Sequence, residues 1–446
     1  SAHLRTLGGQ TRRIAREPQL CWQGQGVNGP RRRFREAMRR TQWTDPGACS
    51  ALCRIIVEDR KQGAKKSSLP SFIYSEAIAP FLHFDTPLPE QLYVVGGRNQ
   101  QQDPLDVVEM FDTWHGKWVS CPSMTARRAG CAAAALSDGR LLVTGGYDDR
   151  GIVNGVLASC EVFDPVEQRW EGSLATMGRA RWGHGCATLG GLVYAVGGCA
   201  LPPGAPPGED LMETLRACEV YDPASGSWSP RAPLQVARAG ARLVPLDGDH
   251  LAVVGGCDDV FGRAEMLASV ELFDVGTGKW ALLDAQLAIP RTTAAAAPLD
   301  ERRILVMGGA PSLASAEVYR MPQERDADAG SACSPGRSQE ASEAPGGVLL
   351  GEMAQGRMGC QAVVMKLPAP GRTHPLCSVR CVVVVGGENG DEAWDEGEAS
   401  VRQFNSVLVF DAEAGEWRPE DAFPPIPTPR TAMALCAAPG RVSGHA

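Results

Sequence analysis

Six times between Tyr93 and Gly387 a run of apolar residues ends on a pair of glycines: Gly96–Gly97, Gly145–Gly146, Gly197–Gly198, Gly255–Gly256, Gly308–Gly309 and Gly386–Gly387. A period of roughly fifty residues is the mark of a repeat architecture, in which one supersecondary unit recurs and the copies bury their apolar faces against each other. After the pair comes a variable segment, then a second apolar run ending in an aromatic residue and an aspartate, reached at Asp112, Asp164, Asp222, Asp274 and Asp411. A tryptophan follows each aspartate at an offset of six: Trp118, Trp170, Trp228, Trp280 and Trp417. A constant offset between two strand-like runs is what a hairpin imposes, because the turn sets the register and the register sets the face each side chain occupies.

Some ten residues beyond each tryptophan, and nine beyond Val348 in the one repeat without a tryptophan, stands an arginine, followed by small residues and a third run: Arg128, Arg181, Arg238, Arg291, Arg357 and Arg430. Each unit thus reads as four short strands: a small-residue run, the glycine-pair run, the aromatic–Asp run and the tryptophan run. Four-stranded sheets repeated radially are propeller blades. The alanine runs at 132–135 and 294–297 suit the position nearest the axis, where blades converge. The glycine pair, the E-x-[FY]-D run, the tryptophan and the R-x-G entry resemble Kelch repeats over residues 91–438. The resemblance implies an all-β, six-bladed Kelch-type propeller of four-stranded antiparallel blades. The chain ends at Arg430 to Ala438 with a lone innermost-type strand, while the first glycine-pair run has no clear one before it. That C-terminal strand is expected to close the first blade and leave no exposed sheet edge.

Two blades depart from the pattern. In the fifth, Arg320 replaces the aspartate, no tryptophan follows, and a polar insert (321–347), expected to be disordered, precedes an outer strand around Val348 to Leu350. In the sixth, Leu408 stands where the other repeats carry glutamate.

Charge divides the chain. Residues 1–75 hold 15 Lys and Arg against 5 Asp and Glu, a net of +10, and the remainder carries −18. The basic arm reads as a mostly irregular extension, joined through a linker at 76–90 and matched by a short tail at 439–446. Its arginine-rich, acid-poor composition suits an organelle transit segment or import machinery, and equally an anionic polymer or lipid. Because the chain starts on Ser1, a fragment of a longer protein is one reading. No stretch reaches the ~18 uninterrupted apolar residues of a membrane helix, and a cytoplasmic, monomeric protein is expected. The 15 cysteines include no CxxC pair. They are expected to be reduced structural thiols, with neither a metal nor another cofactor.

Strands alternate in direction within a blade. The loops after each glycine pair and those leading into each arginine therefore open on one face, which also holds the long loops 199–216, 257–268 and 388–406. In Kelch-repeat proteins this face commonly binds a peptide, so the resemblance makes Arg128, Arg181, Arg238, Arg291, Arg357 and Arg430 partner-binding candidates. Guanidinium groups gathered there would suit carboxylate or phosphate oxygens. The alternative is that each arginine pairs with its repeat glutamate: Glu109, Glu161, Glu219, Glu271 or Glu317. On the first reading, changing Arg181, Arg238 and Arg357 to alanine removes binding and spares the melting temperature. Trp182 and Trp394 are further candidate contacts, with buried filler as the alternative. The 388–406 loop carries a net −5, which favours a partner with basic flanks. No phosphate loop or nucleophile elbow is present, and His184 sits where the repeat places a small residue or histidine. A non-enzymatic interaction module, a scaffold or adaptor, is therefore expected. The alternatives are the substrate-recognition part of a cullin-type ubiquitin ligase whose BTB domain lies outside this chain and, more weakly, a sugar-epimerase type of propeller.

Overall fold

A computed structural model describes residues 90–113, 116–171, 174–205, 211–259, 265–322, 344–368, 378–390 and 401–439. The basic arm, most of the insert in the fifth repeat, the tail and Trp394 lie outside the described residues.

The strands in chain order are β1 (Glu90–Val95), β2 (Val108–Asp112), β3 (Lys117–Cys121), β4 (Ala132–Ala135), β5 (Leu141–Thr144), β6 (Cys160–Asp164), β7 (Arg169–Glu171), β8 (Gly185–Leu189) and β9 (Leu192–Val196). A short ribbon of β10 (Cys199–Ala200) and β11 (Glu213–Thr214) follows. Then come β12 (Cys218–Asp222), β13 (Ser227–Arg231), β14 (Arg242–Pro245), β15 (His250–Val254), β16 (Val270–Asp274), β17 (Lys279–Leu282), β18 (Ala295–Pro298), β19 (Arg303–Met307), β20 (Ser315–Arg320) and β21 (Gly346–Glu352). The last are β22 (Gln361–Pro368), β23 (Ser378–Val385), β24 (Val407–Asp411), β25 (Glu416–Trp417) and β26 (Ala434–Pro439). Apart from the ribbon they form six four-stranded antiparallel sheets, the blades of a propeller. The first sheet has the order β26-β1-β2-β3, with Val95 opposite Ala434 and Glu90 opposite Pro439, so the end of the chain closes the first blade.

The second strand of each blade is almost wholly apolar where it approaches its glycine pair, because both of its faces are covered. In β1, Leu92 and Val94 pack with Met365, Val383 and Val409 of the sixth blade. Their neighbours Tyr93 and Val95 face the other way, onto Ala133, Val143 and Phe163 of the second. Alternation along one strand thus feeds two interblade cores, and each fully buried side chain contributes about 1.5–3 kcal/mol.

The constant offset to tryptophan has a local cause. The aspartate ends one strand and caps the turn: Asp164 Oδ1 accepts the backbone N–H of Val166, and Asp411 Oδ1 accepts that of Glu413. The turn returns the chain so that the aromatic residue faces the tryptophan across the hairpin, as in Phe111–Trp118, Phe163–Trp170 and Phe273–Trp280. Ring centroids in these pairs lie 5.0–5.3 Å apart. In the fifth blade, which keeps the aromatic residue as Tyr319 but lacks the aspartate and the tryptophan, β21 still pairs with β20, through a register shift between Ala316 and Glu317. It begins at Gly346, two residues inside the segment read from the sequence as insert.

Around the axis, directly above the innermost strands, six backbone groups close a ring. The N–H of Gly130 donates to Ala432, Gly183 to Gly130, Gly240 to Gly183, Thr293 to Gly240, Gly359 to Thr293 and Ala432 to Gly359, at 2.8–3.0 Å. All six residues sit at positive φ, between 52° and 65°. Four are glycines, for which this region is free of the Cβ penalty. Every blade is thereby hydrogen-bonded to both neighbours at its inner end.

Candidate functional site: the channel mouth

The six arginines project from the loops that enter the innermost strands, and each is at most 1% exposed. Arg128 shows the pattern. Its Nη1 donates to the carbonyls of Gly145 and Ser159, at 3.0 and 2.9 Å, and its Nη2 to Glu161 at 2.9 Å. Its own backbone carbonyl accepts the N–H of Gly97 from the preceding blade at 2.8 Å. The same set of contacts recurs around the wheel. Nη1 of Arg181, Arg238, Arg291, Arg357 and Arg430 donates to Gly197, Gly255, Gly308, Gly386 and Gly96 respectively. The carbonyls of these five arginines accept from Gly146, Gly198, Gly256, Gly309 and Gly387.

This explains the glycine pair. The first glycine has a φ near +60°, and a Cβ on it would run into the carbonyl of the next blade's arginine. The second donates to that carbonyl, and a Cβ on Gly146 would lie 2.8 Å from the carbonyl of Ala129. Arginine and glycine pair are two halves of one interblade joint, which is why they recur together.

The repeat glutamates complete the joint. Glu161 accepts Thr125 N–H at 2.7 Å, and Glu271 accepts Gln235 N–H at 2.7 Å, while each holds its arginine. Arg181 pairs with Glu219, Arg291 with Glu317 and Arg430 with Glu109. The sixth blade has Leu408 instead, and Arg357 turns to Gln355 Oε1, Ser406 Oγ and the ring of Phe404, 4.9 Å away. Burial holds the guanidinium pKa of Arg181, Arg238, Arg291, Arg357 and Arg430 below its ordinary value, partly offset by the glutamate where one is present.

The expectation that Arg128, Arg181, Arg238, Arg291, Arg357 and Arg430 present open guanidinium groups at the mouth is therefore corrected. The arginines are gathered there, yet their donors are directed into the joints and their side chains lie beneath the loops. The associated expectation that alanine at Arg181, Arg238 and Arg357 leaves the melting temperature unchanged falls with it, since each substitution would open a joint.

What faces the mouth is the residue after each arginine and the residue after each glycine pair. These meet as isolated bridges: Thr431 with Arg98, Ala129 with Tyr147, Trp182 with Cys199, Ala239 with Cys257, Thr292 with Ala310 and Met358 with Glu388. The ring so formed has two unlike sectors. Over the third and fourth blades, Trp182 and Met212 pack on Cys199, Ala239 and Cys257, with Leu211 exposed in the adjoining loop. Trp182, one of the candidate contacts, is half-buried, meets Tyr147 edge-on at 5.8 Å, and has no partner for its Nε1–H among the described residues. Over the sixth and first blades the sector is polar. Arg98 Nη2 donates to Glu388 Oε1 at 2.7 Å, and Gln403 Nε2 donates to the Asn99 carbonyl at 2.7 Å. Glu388 Oε2, Gln403 Oε1 and Thr431 Oγ1 are buried without a protein partner among the described residues.

His184 lies below the mouth between the second and third blades, its Nε2 2.8 Å from Thr144 Oγ1. Burial first, then the neighbouring Arg181, lowers its pKa to about 3. Its position in the packed core agrees with a structural role. The thiols behave alike, burial pushing Cys131 and Cys160 to about 11 and Cys436 to about 12. Among the described residues no group of three or more His, Cys, Asp or Glu side chains is placed to hold a metal ion. No helix of the described residues is long and apolar enough to cross a membrane.

Comparison with known proteins agrees with this geometry. The chain is 28% identical over 301 residues to Kelch-like protein 25 of Xenopus tropicalis, covering 68% of this chain and 43% of that protein. It is 34% identical over 178 residues to Kelch-like protein 34 of Homo sapiens, covering 40% and 25%. Against Kelch-like protein 26 of Danio rerio it is 26% identical over 222 residues, covering 49% and 34%. The chain thus spans less than half the length of these relatives. The model of the KLHDC2/KLHL20/DRC7 Kelch-repeats domain matches residues 83–309, just over half of the chain. With that match and six blades joined through arginine and glycine pair, the chain belongs to the KLHDC2/KLHL20/DRC7 Kelch-repeats domain family.

Proposed function

We propose that the propeller is a non-enzymatic protein-interaction module whose channel mouth holds a segment of a partner protein. The observation that carries this reading is the two-sector ring. Unpaired buried acceptors at Glu388, Gln403 and Thr431 stand opposite an apolar patch around Trp182. Buried acceptors without donors are costly, about 1–3 kcal/mol each, and a docking segment rich in donors relieves them. An aromatic residue next to a pocket is a common anchor at such interfaces. The acidic residues of the 388–406 loop favour a segment with lysine or arginine on its flank. The six arginines serve this site indirectly, by holding the loops that carry it.

The Kelch-like relatives support a second reading, in which the module selects substrates for a cullin-type ubiquitin ligase and the cullin-docking part lies outside this chain. A cytoplasmic, monomeric module suits both readings, with the basic arm 1–75 directed to a polyanion, lipid or import machinery. Proximity labelling with wild type and a Trp182→Ala/Glu388→Gln variant tests the shared core of these readings. Selective loss of labelled partners from a folded variant supports it, and an unchanged set of partners refutes it. Cullin subunits among the partners of a longer chain, absent with this one, would support the ligase reading.

A further inference from the structure

The first residues of the six innermost strands form a layer just below the amide ring: Ala132, Gly185, Arg242, Ala295, Gln361 and Ala434. Four are alanine or glycine, as the crowding near the axis requires, and a Cβ on Gly185 would lie 2.7 Å from that of Leu243. Arg242 departs from this pattern. Its side chain leaves the fourth blade, passes the alanine strand of the fifth, and donates from Nη2 to the Cys360 carbonyl at the sixth blade, at 3.0 Å.

Arg242 is satisfied unlike any of the six joint arginines. Five of those hold a glutamate, and Arg357 compensates with five neutral hydrogen bonds and an aromatic ring. Arg242 has one carbonyl and no carboxylate partner among the described residues; its Nε–H is buried without a partner, as that of Arg238 also is, so what sets it apart is the missing counter-charge. The side chain is half-buried: burial lowers its pKa to about 10, while part of its surface opens onto the channel. It remains protonated at neutral pH, and a partly desolvated charge without a counter-charge is costly. The inner strands are the terminal strands of their sheets, so their free edges, with backbone N–H groups, line the same space.

We propose that Arg242 and the surrounding strand edges form an anion site in the central channel, for a compact monovalent anion of halide size. Size follows from the ring above it. Six hydrogen-bonded neighbours spaced ~4.8 Å apart form a hexagon of about that radius, leaving roughly 5–6 Å between atom surfaces. A bare or partly hydrated halide passes, whereas a nucleotide or sugar phosphate does not. The bound ion would supply the counter-charge that the glutamates supply elsewhere.

The test uses the full chain and bromide. Melting is followed as bromide replaces gluconate at constant ionic strength, in wild type and in Arg242→Gln, whose response measures the general salt effect. Wild type is expected to gain about 2 °C over that background, with saturation. Crystals grown in bromide should show an anomalous peak beside the channel-facing part of the Arg242 guanidinium, a readout on wild type that survives should the variant not fold. Identical salt responses with bromide only on the outer surface overturn the proposal. So does a peak beside Arg242 with no saturable gain in wild-type melting, which would mean an adventitious ion only.

Discussion

Replacing Arg238 by alanine removes one joint of the wheel, and its cost can be worked from the contacts. The guanidinium donates to the carbonyls of Gly255 at 2.8 Å and Ser269 at 3.1 Å, to Ser269 Oγ at 3.2 Å and to Glu271 Oε1 at 2.8 Å. Both side chains of the ion pair are fully buried. Taking away one partner strands the other's charge, at about 3–5 kcal/mol. Glu271 keeps two backbone donors, from Gln235 and Val236, which places the cost toward the lower end. Arg357→Ala strands only neutral acceptors and should cost about 1–3 kcal/mol. At roughly 2 °C per kcal/mol for a domain of this size, Arg238→Ala should melt about 6–10 °C below wild type and Arg357→Ala about 2–6 °C below. Thermal unfolding of both variants beside wild type measures this. Equal losses below about 1 kcal/mol for both variants would show loosely held, solvent-facing arginines and refute the reasoning.

Other parts of the wheel give further expectations. His184, with a folded pKa of about 3, stays neutral where the unfolded residue takes up a proton. Its contribution is therefore complete above the unfolded value and lost as pH falls from about 6.5, at up to ~1.4 kcal/mol per pH unit. His184→Gln should flatten the stability profile between pH 6.5 and 5 in urea titrations, and an unaltered profile would contradict the burial of this ring. Gly145→Ala places a Cβ at φ +57° against the Arg181 carbonyl. It should cost more than the ~1 kcal/mol of a free left-handed position, and denaturant midpoints would show a neutral change if the joint were open. Ending the chain at Met433 removes β26 and bares the edge of β1. Size-exclusion chromatography should then show association or unfolding, and a monomer of wild-type stability would mean the wheel is not shut through that strand.

The framework was legible in the sequence because the residues that build it repeat. Glycine pair, aspartate, tryptophan and arginine each answer a backbone requirement that is identical in every blade, so periodicity reveals them. Periodicity gives a residue's place along the repeat and says nothing of its depth. That is why the arginines were read as open at the mouth, although the glutamate in the paired strand already offered them a buried partner. The blade without that glutamate carried a hint, since Leu408 coincides with an arginine served by neutral groups instead. The mouth residues Arg98, Tyr147, Glu388 and Gln403 were missed for the opposite reason. They differ from blade to blade and join no motif. The available signal was variation at one fixed place, since the residue after the glycine pair reads Arg, Tyr, Cys, Cys, Ala and Glu around the wheel. Arg242 could have been noticed likewise, as the one large cation among small residues at the start of the inner strands.

The central claim is that the arginines hold the wheel together while the residues above them meet the partner. It is tested most directly by reading partner capture and melting temperature on the same preparations of wild type and Trp182→Ala/Glu388→Gln. The account predicts loss of capture with a smaller fall in melting temperature than Arg238→Ala shows, since Trp182 is half-buried and Glu388, although buried, is ion-paired to a partly exposed Arg98 rather than to a joint arginine. Capture that persists in that variant would contradict it.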